Sequence, residues 1–317
     1  MKAGTIGFVF VTLVALLVAP LRVMSQTAEK APTIPLTPPP SSPYFTVLNT
    51  TENTTAYVLE RDYLIGVLAG EYSPDAEPEA LKAGAVAAYS YACYRRKNRP
   101  KDDLYDLKNN TDDQCYLSEA EQKLRWQDRF ETNRALIETA VDAVEGEYLS
   151  YDNEPVMAVY HAVSSGKTDA AEAVWDSPYP YLKSVESTAD LLCPNYLSSL
   201  TVTSVEFADK ALDLGVTLVG KADKWVGEIV RSDTGLVTSA KVGGYSFKGT
   251  ELRKAFGLRS AHFDLTYHDG QFTFTVRGQG HNVGMSQYGA SYMAESGSTY
   301  PEILSWYYPG TTLVKPS

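Results

Sequence analysis

Apolar positions along this chain fall into three patterns. Residues 3–21 carry no charge and are mostly apolar. Between Leu64 and Arg96 apolar and small residues crowd onto several faces at once, as they do in buried helices. Elsewhere the chain alternates, as in Gln271-Phe272-Thr273-Phe274-Thr275-Val276-Arg277, which has the period of a half-buried strand.

Element by element, Tyr57–Glu60 reads as a strand and Leu64–Glu71 as a short helix. Pro74 stops that helix, because the residue before a proline avoids helical backbone. A second helix runs from about Glu77 to Arg96, with alanine at positions 80, 83, 85, 87, 88 and 92. Small residues on several faces let such a helix pack closely on its neighbours. Residues 98–117 form a polar loop. Ser118-Glu119-Ala120-Glu121 is a capping box, and a long helix is predicted from it to about Val144, with Gly146 as the stop. Its apolar positions, Leu124, Phe130, Leu136, Ile137, Val141 and Val144, drift around the helical period.

Tyr148–Tyr151, the turn Asp152-Asn153-Glu154 and Val156–Ala162 read as a hairpin. Thr201–Glu206 reads as a strand followed by a short helix through Leu214. Trp225–Arg231 and Val237–Val242 are strands around the turn Asp233-Thr234-Gly235. Gly249 opens a helix that ends near Gly257, and Ser286–Ala294 is helical. The sum is an α+β chain. Mixed helices and antiparallel strands build one core over residues 45–315, with a smaller docking subdomain at about 201–260.

The first 24 residues fit either a signal peptide or a membrane span. Pro20-Leu21-Arg22-Val23-Met24-Ser25 is a poor small-x-small cleavage site, which favours an uncleaved single-pass anchor. The following domain then lies outside the cytoplasm. Residues 25–44 are a proline-rich, semi-rigid spacer.

Composition narrows the partners. The formal charge of −11 argues against nucleic acid. It leaves room for a polysaccharide, and 22 tyrosines suit a sugar surface as well as they suit an ordinary amphipathic one. Three cysteines, Cys93, Cys115 and Cys193, are too few for a disulfide framework. One bridge remains open, with Cys93–Cys115 the nearer pair in sequence. There is no CxxC and no HExxH, so no metal and no other cofactor is expected.

Candidate chemistry gathers at two places. The first is Gly278-Gln279-Gly280-His281-Asn282-Val283-Gly284-Met285-Ser286-Gln287-Tyr288-Gly289-Ala290. A strand, a glycine turn with a polar tip and a helix make a frequent scaffold for a site. The plainer reading is a tight turn whose His281 bonds only backbone. The second is Glu71, between two apolar helices. A carboxylate there is a cap, an ion-pair partner or an acid of raised pKa, and the residues alone favour a structural role. Ser164-Ser165-Gly166-Lys167-Thr168 is not a P-loop, lacking the first glycine. His161 with Ser165 lacks the GxSxG context of a serine hydrolase. Val174-Trp175 and Tyr179-Pro180-Tyr181-Leu182-Lys183-Ser184-Val185-Glu186-Ser187, with Asp190 beyond, fit a sugar-lined cleft or a half-buried strand. His262 and His268 read as surface residues.

The glycine stretch resembles the stage II sporulation protein D family, also called the amidase-enhancer family, whose members typically carry Gly-Arg-Gly-His-Gly-Val-Gly-Met-Ser-Gln-Tyr-Gly-Ala here. Tyr300–Thr311 resembles that family's ending. Asp62-Tyr63-Leu64-Ile65-Gly66-Val67-Leu68-Ala69-Gly70-Glu71 and Glu79–Ala88 are similar to its Glu-Tyr-Leu-x-Gly-Val-x-Ala-x-Glu and Glu-Ala-Leu-Lys-Ala-Gln-Ala-Val-Ala-Ala. The resemblance implies that Glu71 is the catalytic acid of a peptidoglycan lytic transglycosylase. That enzyme would cut peptide-free glycan strands between N-acetylmuramic acid and N-acetylglucosamine, leaving 1,6-anhydro ends. It implies work beside a cell-wall amidase of the sporulation protein P type, at the engulfing membrane of a sporulating bacterium, where the sequons at Asn49 and Asn53 mean nothing. By the same match Tyr181, Lys183 and Asp190 are substrate-binding candidates, joined by His281, Gln287 and Tyr288.

Two departures stand out. Tyr89 replaces an arginine that could contact the acid or the glycan, which feeds the alternative of a non-catalytic glycan-binding amidase activator. Asp113-Gln114-Cys115-Tyr116 lacks the second Cys or His of relatives that bind zinc, which argues against a structural zinc here. A third reading is a water-using muramidase with Glu71 and Asp190 as its pair.

Overall fold

The computed structural model describes residues 43–315; the apolar N-terminal segment and nearly all of the proline-rich spacer lie outside them. Among the described residues no helix is long and apolar enough to cross a membrane. The described residues open with an antiparallel hairpin, β1 (Tyr44–Asn49) and β2 (Thr54–Leu59), and Glu60 already starts α1 (Glu60–Glu71). Next comes α2 (Pro78–Asn98), with proline at its first turn, where no amide hydrogen is needed.

α1 is buried along nearly its whole length, through Tyr63, Leu64, Ile65, Val67, Leu68 and Ala69. A helix apolar on all sides belongs at the centre of a core. The α2 alanines are all fully buried against it, so the two helix axes can lie close. The polar loop after α2 is less free than its composition implies. It contributes β3 (Leu107–Lys108), parallel to β1, and then lies along α1. At Gly70 a Cβ would overlap the Cys115 carbonyl, so glycine there is what lets the loop reach the end of α1.

The long helix expected over 119–144 is two. α3 (Glu119–Trp126) carries the predicted capping box at Ser118 and Glu121. Gln127 then takes a left-handed backbone (φ 49°), a 3₁₀ turn follows, and α4 (Phe130–Asp142) sets off anew. The break explains the drifting pattern, for Leu124 is 77% exposed while Ile137 is fully buried. The next hairpin is shorter than expected. β4 (Tyr148–Tyr151) pairs with β5 (Glu154–Pro155) and with the last strand of the chain, and residues 156–159 then leave the sheet. β6 (Tyr160–His161) pairs elsewhere, as described below. α5 (Ala171–Trp175) and a 3₁₀ turn at Thr188–Leu192 follow.

A second hydrophobic cluster forms beyond residue 196, around Phe207, Phe256, Phe263, Phe272 and Phe274. β7 (Leu197–Thr203) ends where Thr203 and Glu206 close a capping box on α6 (Ser204–Asp213); Ser204–Glu206 is therefore helix and not strand. β8 (Val226–Arg231), β9 (Val237–Val242) and β10 (Tyr245–Phe247) form a meander, and α7 (Gly249–Phe256) packs beside it. β11 (Phe263–His268) and β12 (Gln271–Arg277) complete an antiparallel sheet with β7. The chain then returns to the first core through β13 (Met285–Ser286), α8 (Gln287–Glu295), α9 (Tyr300–Tyr307) and β14 (Thr312–Val314). The architecture is α+β with mostly antiparallel pairing, as expected.

Cys93, Cys115 and Cys193 are free thiols, so the Cys93–Cys115 bridge is not made. Cys93 lies near Glu60 and Tyr89, at the start of α1, whereas Cys115 lies at its end.

Candidate functional site

Glu71 is the last residue of α1. The carbonyls freed at this helix end are met by other groups. Tyr72 N–H donates to the Leu68 carbonyl, Arg125 to that of Ala69 at 2.9 Å, and the Gln287 side-chain amide to that of Glu71 at 3.2 Å. A carboxylate at a helix C-terminus faces the negative end of the helix dipole, which resists ionisation. Burial works in the same direction and is the largest influence, raising the Glu71 pKa. The Cys115 backbone N–H, the Cys115 thiol and Gln287 oppose it. The Cys115 N–H donates to Glu71 Oε1 at 2.8 Å.

Opposite, the glycine stretch explains its own composition. β13 pairs in parallel with β6, Met285 beside Tyr160 and Ser286 beside His161. At Gly280 (φ 113°) a Cβ would press into the His161 side chain, so only glycine lets the turn before β13 run this close to β6. Asn282 stands where the family pattern has glycine. It too is left-handed (φ 68°), a conformation asparagine tolerates. Its side chain accepts from Ser165 N–H at 2.9 Å and donates to the Lys167 carbonyl at 2.9 Å and to Asp169 Oδ2 at 3.0 Å.

Between these walls lies a cavity of about 720 Å³. Glu71, His161, Trp175, Gln279, His281 and Gln287 line it, with Arg253 and Arg259 arriving from the second cluster. His281 is wedged, its ring 5.3 Å from Trp175 and 5.6 Å from His161. Its Nδ1 accepts the Val283 N–H at 3.1 Å. Burial first, then the charge of Arg253, pull its pKa down to about 4, so the ring is neutral at physiological pH. His161 is also held neutral, chiefly by burial. Its Nδ1 lies 3.0 Å from the Val283 carbonyl and must carry the proton. That leaves Nε2 as a buried acceptor with no partner among the described residues, and the Tyr160 hydroxyl on the same wall is likewise unpartnered. The site thus offers one acid reluctant to ionise, one imidazole acceptor, amide side chains and an indole face. That set suits hydroxyl and acetamido groups.

The structure brings together Glu71, His281 and Gln287 and leaves four sequence candidates off the cavity wall. Tyr181 is buried, its hydroxyl accepting the Met157 N–H at 3.0 Å. Lys183 is exposed. Asp190 is fully buried. It accepts from Ser164 N–H at 2.9 Å and from Ser286 Oγ at 2.8 Å, and Ser286 in turn caps α8. It therefore positions the helix that carries Gln287, and it does not line the cavity. Tyr288 lies on the same helix but does not line the cavity.

His262, read as a surface residue, is a correction. It is buried, its Nε2 3.1 Å from Asp169 Oδ2 and 3.4 Å from Asn282 Nδ2, so a polar cluster and not solvent receives it; His268 is exposed as expected. Tyr89 points away from the acid. Its hydroxyl donates to Glu60 Oε2 at 2.6 Å, at the opposite end of α1 from Glu71 and about 16 Å along the axis. Arg96 holds the other oxygen of Glu60. Sequence reading passed over Arg253 and Arg259, which lie in the stretch read as a docking subdomain. The only hint was two arginines in one short amphipathic stretch, at 253 and 259.

An α+β fold with one unpaired carboxylic acid of raised pKa in a polar, aromatic-edged cavity defines a class of protein whose site suits a polar, hydroxyl-rich ligand. Comparison supplies the family. The family profile described as SpoIID, stage II sporulation protein, matches residues 49–151. Proteins named stage II sporulation protein D from Bacillus subtilis (strain 168) and Bacillus amyloliquefaciens are each 38% identical to this chain. They cover 84% of it and 78% and 77% of their own lengths. A protein named amidase enhancer, from Bacillus subtilis (strain 168), is 28% identical over 79% of this chain and 40% of its own length. The chain belongs to the stage II sporulation protein D family.

Proposed function

We propose that this protein is a sporulation cell-wall enzyme, a lytic transglycosylase that cuts peptide-free peptidoglycan strands, with Glu71 as its acid. It acts from the outer face of the membrane beside a cell-wall amidase of the sporulation protein P type. The observation that carries the reading is that Glu71 is the only carboxylate on the cavity wall, among the described residues, without a cation. Asp112 is paired with Lys108 at 2.9 Å and Asp113 with Arg95 at 2.8 Å. Hydrolytic glycosidases commonly use two free carboxylates. One is enough where the substrate supplies the attacking oxygen.

In the proposed reaction, protonated Glu71 gives its proton to the oxygen between muramic acid C1 and the next N-acetylglucosamine, and the C1–O bond breaks. The resulting carboxylate accepts the proton of the muramic acid 6-hydroxyl, whose oxygen closes on C1. The products are a 1,6-anhydro end and a free 4-hydroxyl. Glu71 ends protonated and no water is consumed. A raised pKa keeps the acid loaded near working pH. His161 Nε2 and Gln287 supply an acceptor and a donor for sugar hydroxyl or acetamido groups.

The amidase-enhancer relative favours a second reading, a glycan-binding activator without chemistry. Mass analysis of products separates them. The enzyme reading expects anhydro ends from peptide-free strands. Reducing ends would indicate a muramidase. Intact strands, together with a faster amidase, would indicate the activator.

A further inference from the structure

The cavity holds two cations that no acid neutralises. Asp112 and Asp113 are already paired, and Glu71 resists ionisation. Arg253, in the last turn of α7, donates from Nε to the Leu258 carbonyl at 3.3 Å. Its two terminal nitrogens have no partner among the described residues. Arg259 donates to the Asn195 carbonyl at 2.8 Å and to Gln279 Oε1, both neutral. Neither arginine has a carboxylate within ion-pair distance among the described residues. A guanidinium stays charged in such a setting and presents a planar fork that matches carboxylate geometry. Leaving it half-buried and unpaired is costly unless a ligand completes it.

We infer that Arg253, backed by Arg259, is a specificity-determining residue that binds the free lactyl carboxylate of muramic acid and so selects strands whose stem peptides have been removed. The inference rests on the glycan reading above and deepens it. While a stem peptide is attached, the lactyl carbonyl belongs to a neutral amide and carries a chain that the cavity would have to admit. Hydrolysis of that amide leaves a carboxylate in its place. The amidase reaction therefore creates the group that Arg253 recognises, and peptide removal must come first. The charge of Arg253 also reaches His281 and His161, which places it on the histidine side of the cavity.

The test reads binding, so that cleavage is not required. The full chain carrying Glu71→Gln is titrated with peptide-free strands and with the same strands after conversion of their lactyl carboxylates to methylamides. Free-acid strands should bind about ten- to a hundredfold more tightly, the range of a charge-assisted pair. Adding Arg253→Gln should remove that preference by weakening only the free-acid strands, and Arg253→Lys should restore part of it. Equal affinity for the two strand types overturns the inference. So does an Arg253→Gln variant that weakens both alike. If that variant does not fold, the comparison of the two strand types on the Glu71→Gln chain decides alone. A preference for free-acid strands, with no cleavage by the wild-type chain, would retain this inference and sink the transglycosylase. Equal cleavage of both strand types by the wild-type chain would do the reverse. Binding of neither would end both.

Discussion

The backbone N–H of Cys115 donates to Glu71 Oε1 at 2.8 Å, so a loop 44 residues downstream holds the acid at the end of α1. The bond belongs to the backbone, and Gly70 gives the loop its room. Cys115→Ser should therefore keep activity within about threefold of wild type. Gly70→Val should overpack the contact, costing about 1–3 kcal/mol of stability and most of the activity. Melting curves and product yields on the two variants check this. Equal losses in both would place the important group on the thiol.

Protonated Glu71 is the working form, and burial raises its pKa. kcat/KM should fall as pH rises through the folded-state value, above the ordinary carboxylate range. The same shift has a stability sign. The folded state holds the Glu71 proton to higher pH than the unfolded chain does, so stability declines as pH climbs from the unfolded to the folded pKa. Glu71→Gln should remove that decline and melt no lower than wild type at neutral pH. Thermal melts across pH on both proteins check the sign.

The histidines act in the opposite direction. His281 has a pKa near 4 when folded, and His161 is depressed as well. Unfolded imidazoles take up protons from about pH 6.5 downward. The stability tied to neutral His281 is therefore full above that pH and is lost as pH falls toward 4. His281→Gln should flatten this acid limb, as read by denaturant midpoints between pH 4 and 7.

Tyr89 stands at the far end of α1 and bonds Glu60. Tyr89→Phe should cost about 1 kcal/mol of stability, the net worth of one hydrogen bond, and leave kcat unchanged. A kcat loss beyond the loss of folded protein would bring position 89 back into the site.

Much of this was legible in the chain. Glu71 stood out as a carboxylate between two apolar helices, but the residues alone favoured a structural role, and only the family resemblance implied an acid. His281 and Gln287 could be read because glycines at 278, 280 and 284 mark a close backbone approach. What the glycines approach could not be read. The partner is the 159–164 segment, and it pairs through a parallel bridge of two residues that leaves no periodic trace. Arg253 and Arg259 escaped for the same reason, since they join the cavity only when the second cluster folds against the first. Asp190 and Tyr181 were noticed for their chemistry, but burial uses that chemistry to satisfy backbone and a helix cap. His262 looked like surface because nothing in its sequence neighbourhood marks Asp169, its buried partner far upstream, as close in space.

The most direct test of the account is a comparison of wild type and Glu71→Gln on peptide-free glycan strands, with binding and product mass measured on the same samples. The account predicts equal binding, 1,6-anhydro ends from wild type, and turnover at least about a hundredfold lower in the variant, the scale of a lost general acid. Anhydro ends formed at an undiminished rate by Glu71→Gln would contradict it, as would strands that both proteins bind and neither cuts.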